Sequence, residues 1–282
     1  MSLTVLVTGS TGTIGSKVLH ELRSIGYNVI AAVRGDASDE TSRDGIHRRR
    51  LDYSDPATFE SATEGVDAVF LIGPPLVLDL YQLLEPFIDH LAERKIRRVV
   101  YVAAMALEKV PSMPFHSQAI ERLQQHGMEL TVMKPTFFAQ NFKNYEGENI
   151  LERGVLFQPA DDGKAAFVDA HDIAACVAAA FSNPATIGKE YLLTGPTALS
   201  YHDVAGLLSD ILGRSIAYAR PDADTYRSVL ASAGAPPFVA EYMIDVYGLI
   251  RNGDVDLVTD HVQLLTGKPA TPLNTVLMRD FS

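Results

Sequence analysis

Leu3-Thr-Val-Leu-Val-Thr-Gly-Ser-Thr-Gly-Thr-Ile-Gly15 decides the fold of this chain. An apolar strand, Leu3 to Val7, runs into the turn Thr8 to Gly15, and a helix follows without a gap. At Gly9 a tight turn leaves the strand where a Cβ would clash, Gly12 leaves the backbone bare, and Gly15 lets the helix pack close to the sheet. The positive end of such a helix, with the amides of Thr11, Gly12, Thr13 and Ile14, suits the diphosphate of a dinucleotide. The spacing is G-x-x-G-x-x-G, one residue longer before the middle glycine than the commoner G-x-G-x-x-G, so the context of strand, turn and helix carries the reading. Ile14, Val18, Leu22 and Ile25 then share one helix face while Lys17, Glu21 and Arg23 take the polar positions. Gly26 is placed as a left-handed cap, and Tyr27 to Val33 reads as a buried parallel strand.

Further along, strands and helices keep alternating. Gly35 to His47 is polar and reads as a loop with a short helix. Arg48 to Leu51 is a third strand, Ser54-Asp55 caps a helix through Ala62 with Pro56 at its first position, and Ala68 to Ile72 is a fourth strand. Leu76 to Arg94 reads as a long helix, Arg98 to Ala104 as a fifth strand, His116 to His126 as a helix and Leu130 to Met133 as a sixth strand. This alternation predicts an α/β fold, a doubly wound parallel sheet of the Rossmann type. Past Pro135 it fails. Residues 136–145 are aromatic and amide-rich, and 154–163 read as an insertion. An Ala-rich helix runs to Phe181 and Tyr191 to Thr194 is the last strand of the main sheet. Ser200 caps a helix ending at Gly213, and 222–282 is mostly helical. The expected organisation is a dinucleotide-binding domain over 1–150, with 165–195 returning to it. A smaller, mostly helical substrate portion covers 151–282, with the ligand cleft between them.

A net charge of −11 argues against a nucleic-acid surface. No apolar run reaches the ~18 residues of a membrane span, and no signal segment opens the chain. The expectation is a cytoplasmic protein acting on a small molecule, with no nucleic-acid or membrane partner and its oligomeric state open. Cys176, the single cysteine, reads as a core residue. The histidines show no metal spacing, so no metal is expected. His171-Asp172, after Asp169, is either an acid/base pair or a helix cap, and the cap is favoured.

Arg34 follows the second strand where an NAD-preferring chain would place an acid. A guanidinium there pairs with a 2′-phosphate, so NADP(H) is expected over NAD(H), a solvated Arg being the alternative. Arg48 to Arg50 either assist or form a solvated strand end. Asp52 and Tyr53 either meet the adenine edge or cap the next helix. Gly73-Pro74-Pro75 ends the fourth strand with two residues that donate no N–H. Ala103-Ala104-Met105, at the end of the fifth, offers no hydroxyl, and none of the eleven tyrosines is followed four residues later by Lys. His116 is either a proton donor or a locally bonded helix-terminal residue. Phe137, Phe138, Asn141 and Tyr145 either grip a flat substrate or pack the core.

The Thr-Gly-x-x-Gly-x-x-Gly start, Val69 to Pro75, the His116…Glu121 helix and Lys134 to Asn141 together resemble the NmrA-like branch of the atypical short-chain dehydrogenases/reductases. Asp169 to Asp172, Tyr191 to Pro196 and Leu199-Ser-Tyr201 continue the likeness. That branch includes quinone reductases, triphenylmethane dye reductases and festuclavine-type dehydrogenases, and also NADP-sensing regulators without turnover. The resemblance implies that Gly73 to Pro75, Ala103 to Met105 and Pro135 to Phe138 surround the nicotinamide, with Ile72 and Lys134 as neighbouring coenzyme contacts and Pro75 facing the substrate. Where relatives place a Ser/Tyr/Lys set to protonate a carbonyl oxygen, this chain has none. Hydride delivery to an iminium, a quinone or a cationic dye is therefore expected, and a non-catalytic NADP sensor is the alternative.

Overall fold

Strand β1 (Thr4–Val7) is buried beyond its first residue and stands inside a seven-stranded sheet. Its neighbours are β2 (Asn28–Val33) on one side and β4 (Ala68–Leu71) on the other, in parallel register with Val5 opposite Val29 and Ala68. Beyond them lie β3 (His47–Arg50), β5 (Arg98–Val102), β6 (Glu129–Pro135) and β7 (Lys189–Leu193), giving the order β3-β2-β1-β4-β5-β6-β7. Gly188 donates to the Leu130 carbonyl and Thr136 to that of Leu193, so β7 runs in the same sense as β6. The computed structural model describes residues 3–35, 45–110 and 113–282. The helix expected between Gly35 and His47 falls mainly on 36–44, outside the described residues.

Helix α1 (Gly15–Ser24) joins β1 to β2, and α2 (Phe59–Thr63) precedes β4. Helices α3 (Leu80–Glu93) and α4 (Phe115–Gln125) follow β4 and β5. The sheet order reverses between β1 and β4, so right-handed crossovers place α1 on one face and α3 on the other. Helix α1 packs on α5 (Ala170–Ser182), and α3 packs on α4. This is the doubly wound architecture that the alternation predicts.

Three boundaries differ for local reasons. Helix α3 begins at Leu80 rather than Leu76, because Leu76 sits at φ 58°, a left-handed conformation through which a right-handed helix cannot run. Asp55 makes no side-chain cap to the turn that starts at Pro56; its carboxylate meets Arg50 at 3.1 Å instead. Strand β5 stops at Val102, although the Ala103 amide still donates to Met133 across the sheet.

The chain divides into two compact units, the first made of Met1–Ala104, Met113–Lys134 and Ala170–Tyr191. The second comprises Met105–Ser112, Pro135–Asp169 and Leu192–Ser282 and holds helices α6 (Tyr201–Leu212), α7 (Ala223–Ser232), α8 (Pro237–Arg251), α9 (His261–Thr266) and α10 (Leu273–Phe281). Ser200 and Asp203 form a reciprocal capping box on α6, and Gly213 closes it in the left-handed conformation. The stretch 154–163 is more than an insertion. Its Val155–Leu156 pairs with Ala217–Tyr218 in a small parallel sheet of this unit. Among the described residues no helix is long and apolar enough to cross a membrane.

Candidate active site

In a doubly wound sheet, ligands bind beyond the carboxyl ends of the strands, where the order reverses. Here that place is the turn between β1 and α1. Gly9 has φ +58°, and a Cβ on it would lie 2.7 Å from Ile72 Cγ2. A Cβ on Gly15 would lie 2.1 Å from the Gly9 carbonyl oxygen, so Gly15 lets the helix start close on the turn's own backbone as much as on the sheet. The Gly12 amide donates to Gly9 at 2.9 Å, and the Ser10 hydroxyl donates to the Ala32 carbonyl at 2.6 Å, pinning the turn to β2. Thr11 and Gly12 are exposed. Helix α1 has no side-chain cap at Ile14 and no acidic residue in its first turn, so its positive end meets no side-chain carboxylate there. Glycines that a Cβ would fill, at an uncapped helix start, fit the diphosphate of a dinucleotide.

The other strand ends lie along the same edge of the sheet. Arg34 is exposed directly after β2. After β3, Asp52 accepts from the Ser54 hydroxyl at 2.6 Å and its amide at 2.9 Å, and those bonds, with lesser help from Arg50 and Arg34, hold its carboxyl below the ordinary range. The Tyr53 hydroxyl donates to the Ile72 carbonyl at 3.1 Å, and burial raises that phenol far above its usual range. Ile72 is held further by the Thr8 hydroxyl, which accepts its amide at 2.9 Å. Gly73 and Pro74 are half-buried and Pro75 is exposed. Ala103 is buried and Ala104 half-buried at the end of β5. At the end of β6, Lys134 meets Glu190 at 2.7 Å, a partner that sequence reasoning did not anticipate.

His116 stands in the first turn of α4. Tyr101, fully buried in β5, lies with its hydroxyl 2.5 Å from His116 Nδ1. A buried phenol needs an acceptor, and burial raises this one well beyond its ordinary range, so it keeps its proton and donates to Nδ1. The ring proton is thereby assigned to Nε2. Burial first, and the Lys134 charge second, push His116 down to about 4, leaving it neutral near pH 7. The local hydrogen bond is therefore present, and any part in chemistry would run through a neutral Nε2–H. The sign for stability follows from the lowered value. An unfolded His titrates near 6.5, so the favourable contribution is complete above that pH and is lost as pH falls toward about 4. Unfolding curves should show the wild-type advantage over His116→Gln shrinking by roughly 2 kcal/mol across that window, and a constant difference would contradict the assignment.

In the second unit, Met105 donates its amide to the Pro135 carbonyl at 2.9 Å, and both residues are buried. Phe137 stacks on Tyr247, with centroids 5.8 Å apart. Phe138 bridges Val168, and Asn141 opens the short helix Asn141–Asn144. Tyr145 is 67 % exposed and makes no ring contact among the described residues, so it stands apart from that aromatic group. Asp169, 1 % exposed, accepts from Gln140 Nε2 at 2.9 Å and from both terminal nitrogens of Arg279. Glu146 carries no sequence motif; its carboxylate accepts from Asn149 Nδ2 at 3.2 Å, and burial raises it above the ordinary range.

A groove of about 470 Å³ lies at the opposite edge of the sheet, lined by Thr4, Asn28, His47, Arg49 and Glu64. It flanks the amino ends of β1, β2 and β3, away from the glycine turn, and the topology argues against it as the reaction site.

A parallel sheet in this order, with a glycine turn after its central strand, defines a Rossmann-type dinucleotide-binding protein. The chain belongs to the NmrA-like family, whose model matches residues 1–260. It is 32 % identical over 272 residues to the NAD(P)H azoreductase of Xenophilus azovorans, covering 94 % of each chain. It is 28 % identical to the agroclavine dehydrogenase of Claviceps fusiformis, covering 94 % of this chain and 93 % of that one. Its fold matches that of the NADPH-dependent quinone oxidoreductase of Escherichia coli, solved in complex with NADPH, with a TM-score of 0.87 at 24 % identity over 99 % of this chain and 100 % of the other.

Proposed function

We propose that this chain reduces a small, electron-poor acceptor with hydride from NADPH. That it is an NAD(P)H-dependent reductase follows from its family and near-full-length relatives; the proposal narrows the coenzyme and the acceptor. A bound reduced nicotinamide would supply hydride to the acceptor's carbon, with the C=N or conjugated C=O electron pair moving onto nitrogen or oxygen.

The residues divide the work by position. The exposed turn at Thr11 and Gly12 and the start of α1 receive the diphosphate, the Gly12 amide itself being committed to the Gly9 carbonyl. Arg34, exposed after β2, receives the 2′-phosphate. Ile72 to Pro74, Ala103 to Met105, Lys134 and Pro135 form the walls for the ribose and nicotinamide. Pro75, Phe137, Phe138, Asn141 and Tyr145 are the acceptor contacts.

One observation carries the choice of acceptor: the hydroxyls near the ends of β4 and β5 are already committed. Tyr53 donates to Ile72, Thr8 is bonded to Ile72, and Tyr101 is bonded to His116. Ala103 and Met105 spend their amides on Met133 and Pro135. Among the described residues an alkoxide arising there would find these hydroxyls and amides already bonded, whereas an iminium or quinone needs hydride far more than a proton. His116, neutral, is left to orient or polarise.

The test is loss of nicotinamide absorbance when the purified protein meets NADPH with a quinone and with an iminium salt, against an unactivated ketone. Reduction of the first two supports the proposal, and efficient reduction of the ketone contradicts it. Tight NADPH binding without oxidation by any acceptor would favour a sensor instead. Arg34→Ala should lower the NADPH:NADH affinity ratio by about tenfold or more, and an unchanged ratio would remove Arg34 from the coenzyme site.

A further inference from the structure

We infer that Tyr101 is a positioning residue for the reduction: its buried hydroxyl fixes the His116 ring so that Nε2–H is a neutral hydrogen-bond donor to the oxygen of a quinone-type acceptor. This role rests on the reductase reading above and gives the reaction a donor that stabilises charge without surrendering its proton.

Both residues belong to the first unit. Tyr101 is the penultimate residue of β5, two positions before Ala103, and it is fully buried. A helix that follows a parallel strand runs back along the sheet. The first turn of α4, with His116 its second residue, therefore sits at the carboxyl edge, where ligands of such sheets bind. There the Tyr101 hydroxyl lies 2.5 Å from His116 Nδ1, with the ring centroids 5.7 Å apart and the planes tilted by 56°. Phe115 stands edge-on to the imidazole at 5.0 Å and 62°. One hydrogen bond and two aromatic neighbours hold the ring in a single orientation.

The other ring nitrogen is placed differently. Among the described residues nothing bonds to Nε2, and the sealed side-chain atoms without a partner are both on Gln158. His116 is half-buried, so Nε2–H remains within reach of solvent at that edge. A phenol donates to an unprotonated imidazole nitrogen, and a ring whose Nδ1 accepts carries its proton on Nε2. Lys134, at the end of the neighbouring β6 and paired with Glu190 at 2.7 Å, adds a positive charge that opposes a second proton on the ring.

Such a donor matters for one acceptor and not for another. With a quinone, hydride from the coenzyme forms a C–H bond and the conjugated C=O pair moves onto oxygen. Nε2–H bonds that oxygen without transfer, and water supplies the proton that completes the product. With an iminium, the same hydride leaves a neutral amine and no charge for Nε2–H to meet.

Reduction by NADPH of menadione and of N-methyl-dihydroisoquinolinium should be measured in the wild type, Tyr101→Phe, His116→Leu and His116→Gln. His116→Leu should lower kcat for the quinone about 30-fold and leave that for the iminium within about twofold. Tyr101→Phe should lower the quinone value about fivefold, again sparing the iminium. His116→Gln offers an amide N–H at similar reach and should recover part of the loss. Nitrogen NMR of the histidine-labelled protein should find the ring proton on Nε2 in the wild type near neutral pH, and a displaced Nδ1 resonance in Tyr101→Phe. Equal losses for both acceptors would mean a structural role alone and overturn the inference, as would a wild-type ring protonated on Nδ1. Should Tyr101→Phe misfold, the wild-type tautomer and the contrast of His116→Leu with His116→Gln still decide. A wild type that reduces both acceptors, with no such split among its variants, loses the donor and keeps the reductase reading. One that oxidises NADPH with neither acceptor loses both.

Discussion

Gly15→Ala should destabilise the protein by about 3 kcal/mol and weaken NADPH binding at least ~100-fold. The added methyl would sit 2.1 Å from the Gly9 carbonyl oxygen, 2.6 Å from its carbonyl carbon and 3.0 Å from the Ser10 amide nitrogen. All three atoms are backbone, so no rotamer change relieves the clash. The turn cannot retreat either. The Thr8 amide donates to Phe70 at 3.1 Å, and the Ser10 hydroxyl ties the other side to Ala32. Helix and turn must separate, and the amides that receive the diphosphate lose their geometry with them. Two other glycines separate packing from binding. Gly26 has φ +92° with nothing near its missing Cβ, so Gly26→Ala should cost only about 1 kcal/mol of backbone strain and leave affinity alone. Gly12→Ala meets one atom at 3.2 Å, and should lose affinity with little loss of stability because its methyl stands where the diphosphate approaches. Thermal unfolding and calorimetric titration with NADPH check all three. A Gly15→Ala protein with wild-type midpoint and affinity would sink the account of this turn.

What the chain discloses on first reading is what local physics controls. Strand β1, the glycines after it and the amphipathic face of α1 are set by spacing within one turn, and they led directly to the parallel sheet and the family. The capping box at Ser200 and the left-handed Gly213 were legible for the same reason. Partners distant in sequence were not. Nothing in the spacing of Lys134 points to Glu190, and nothing at Tyr145 points to the half-buried carboxylate one residue further on, at Glu146. Apolar periodicity also overran its limits at Leu76, since it counts side chains and does not register that the backbone there turns left-handed. His116 is the intermediate case. Its place at a helix start was clear, but its charge state depends on Tyr101, a phenol concealed in a strand that reads as uniformly apolar.

Arg279→Ala should cost about 3 kcal/mol, although the residue lies three positions from the last and its side chain is 41 % exposed. Its partner is the reason. The Asp169 side chain is 1 % exposed, and Arg279 reaches it with Nη1 at 2.9 Å and Nη2 at 3.1 Å, the fork of a bidentate pair. That bond holds the guanidinium above its ordinary range. Removing the arginine leaves a buried carboxylate without its cation, while water reaching the open side moderates the loss. Asp169→Asn removes the charge and keeps a polar group for Gln140 to bond. The double variant Arg279→Ala/Asp169→Asn should therefore be more stable than the sum of the single losses implies, by about 1–3 kcal/mol. Arg279→Lys should recover only part of the wild-type stability, because an ammonium carries the charge without the fork. Denaturant unfolding of the wild type and the four variants decides the matter. Strict additivity, or an Arg279→Ala midpoint equal to that of the wild type, would mean that α10 is held by its apolar face, where Leu273, Val276 and Leu277 are buried, and that the ion pair adds nothing.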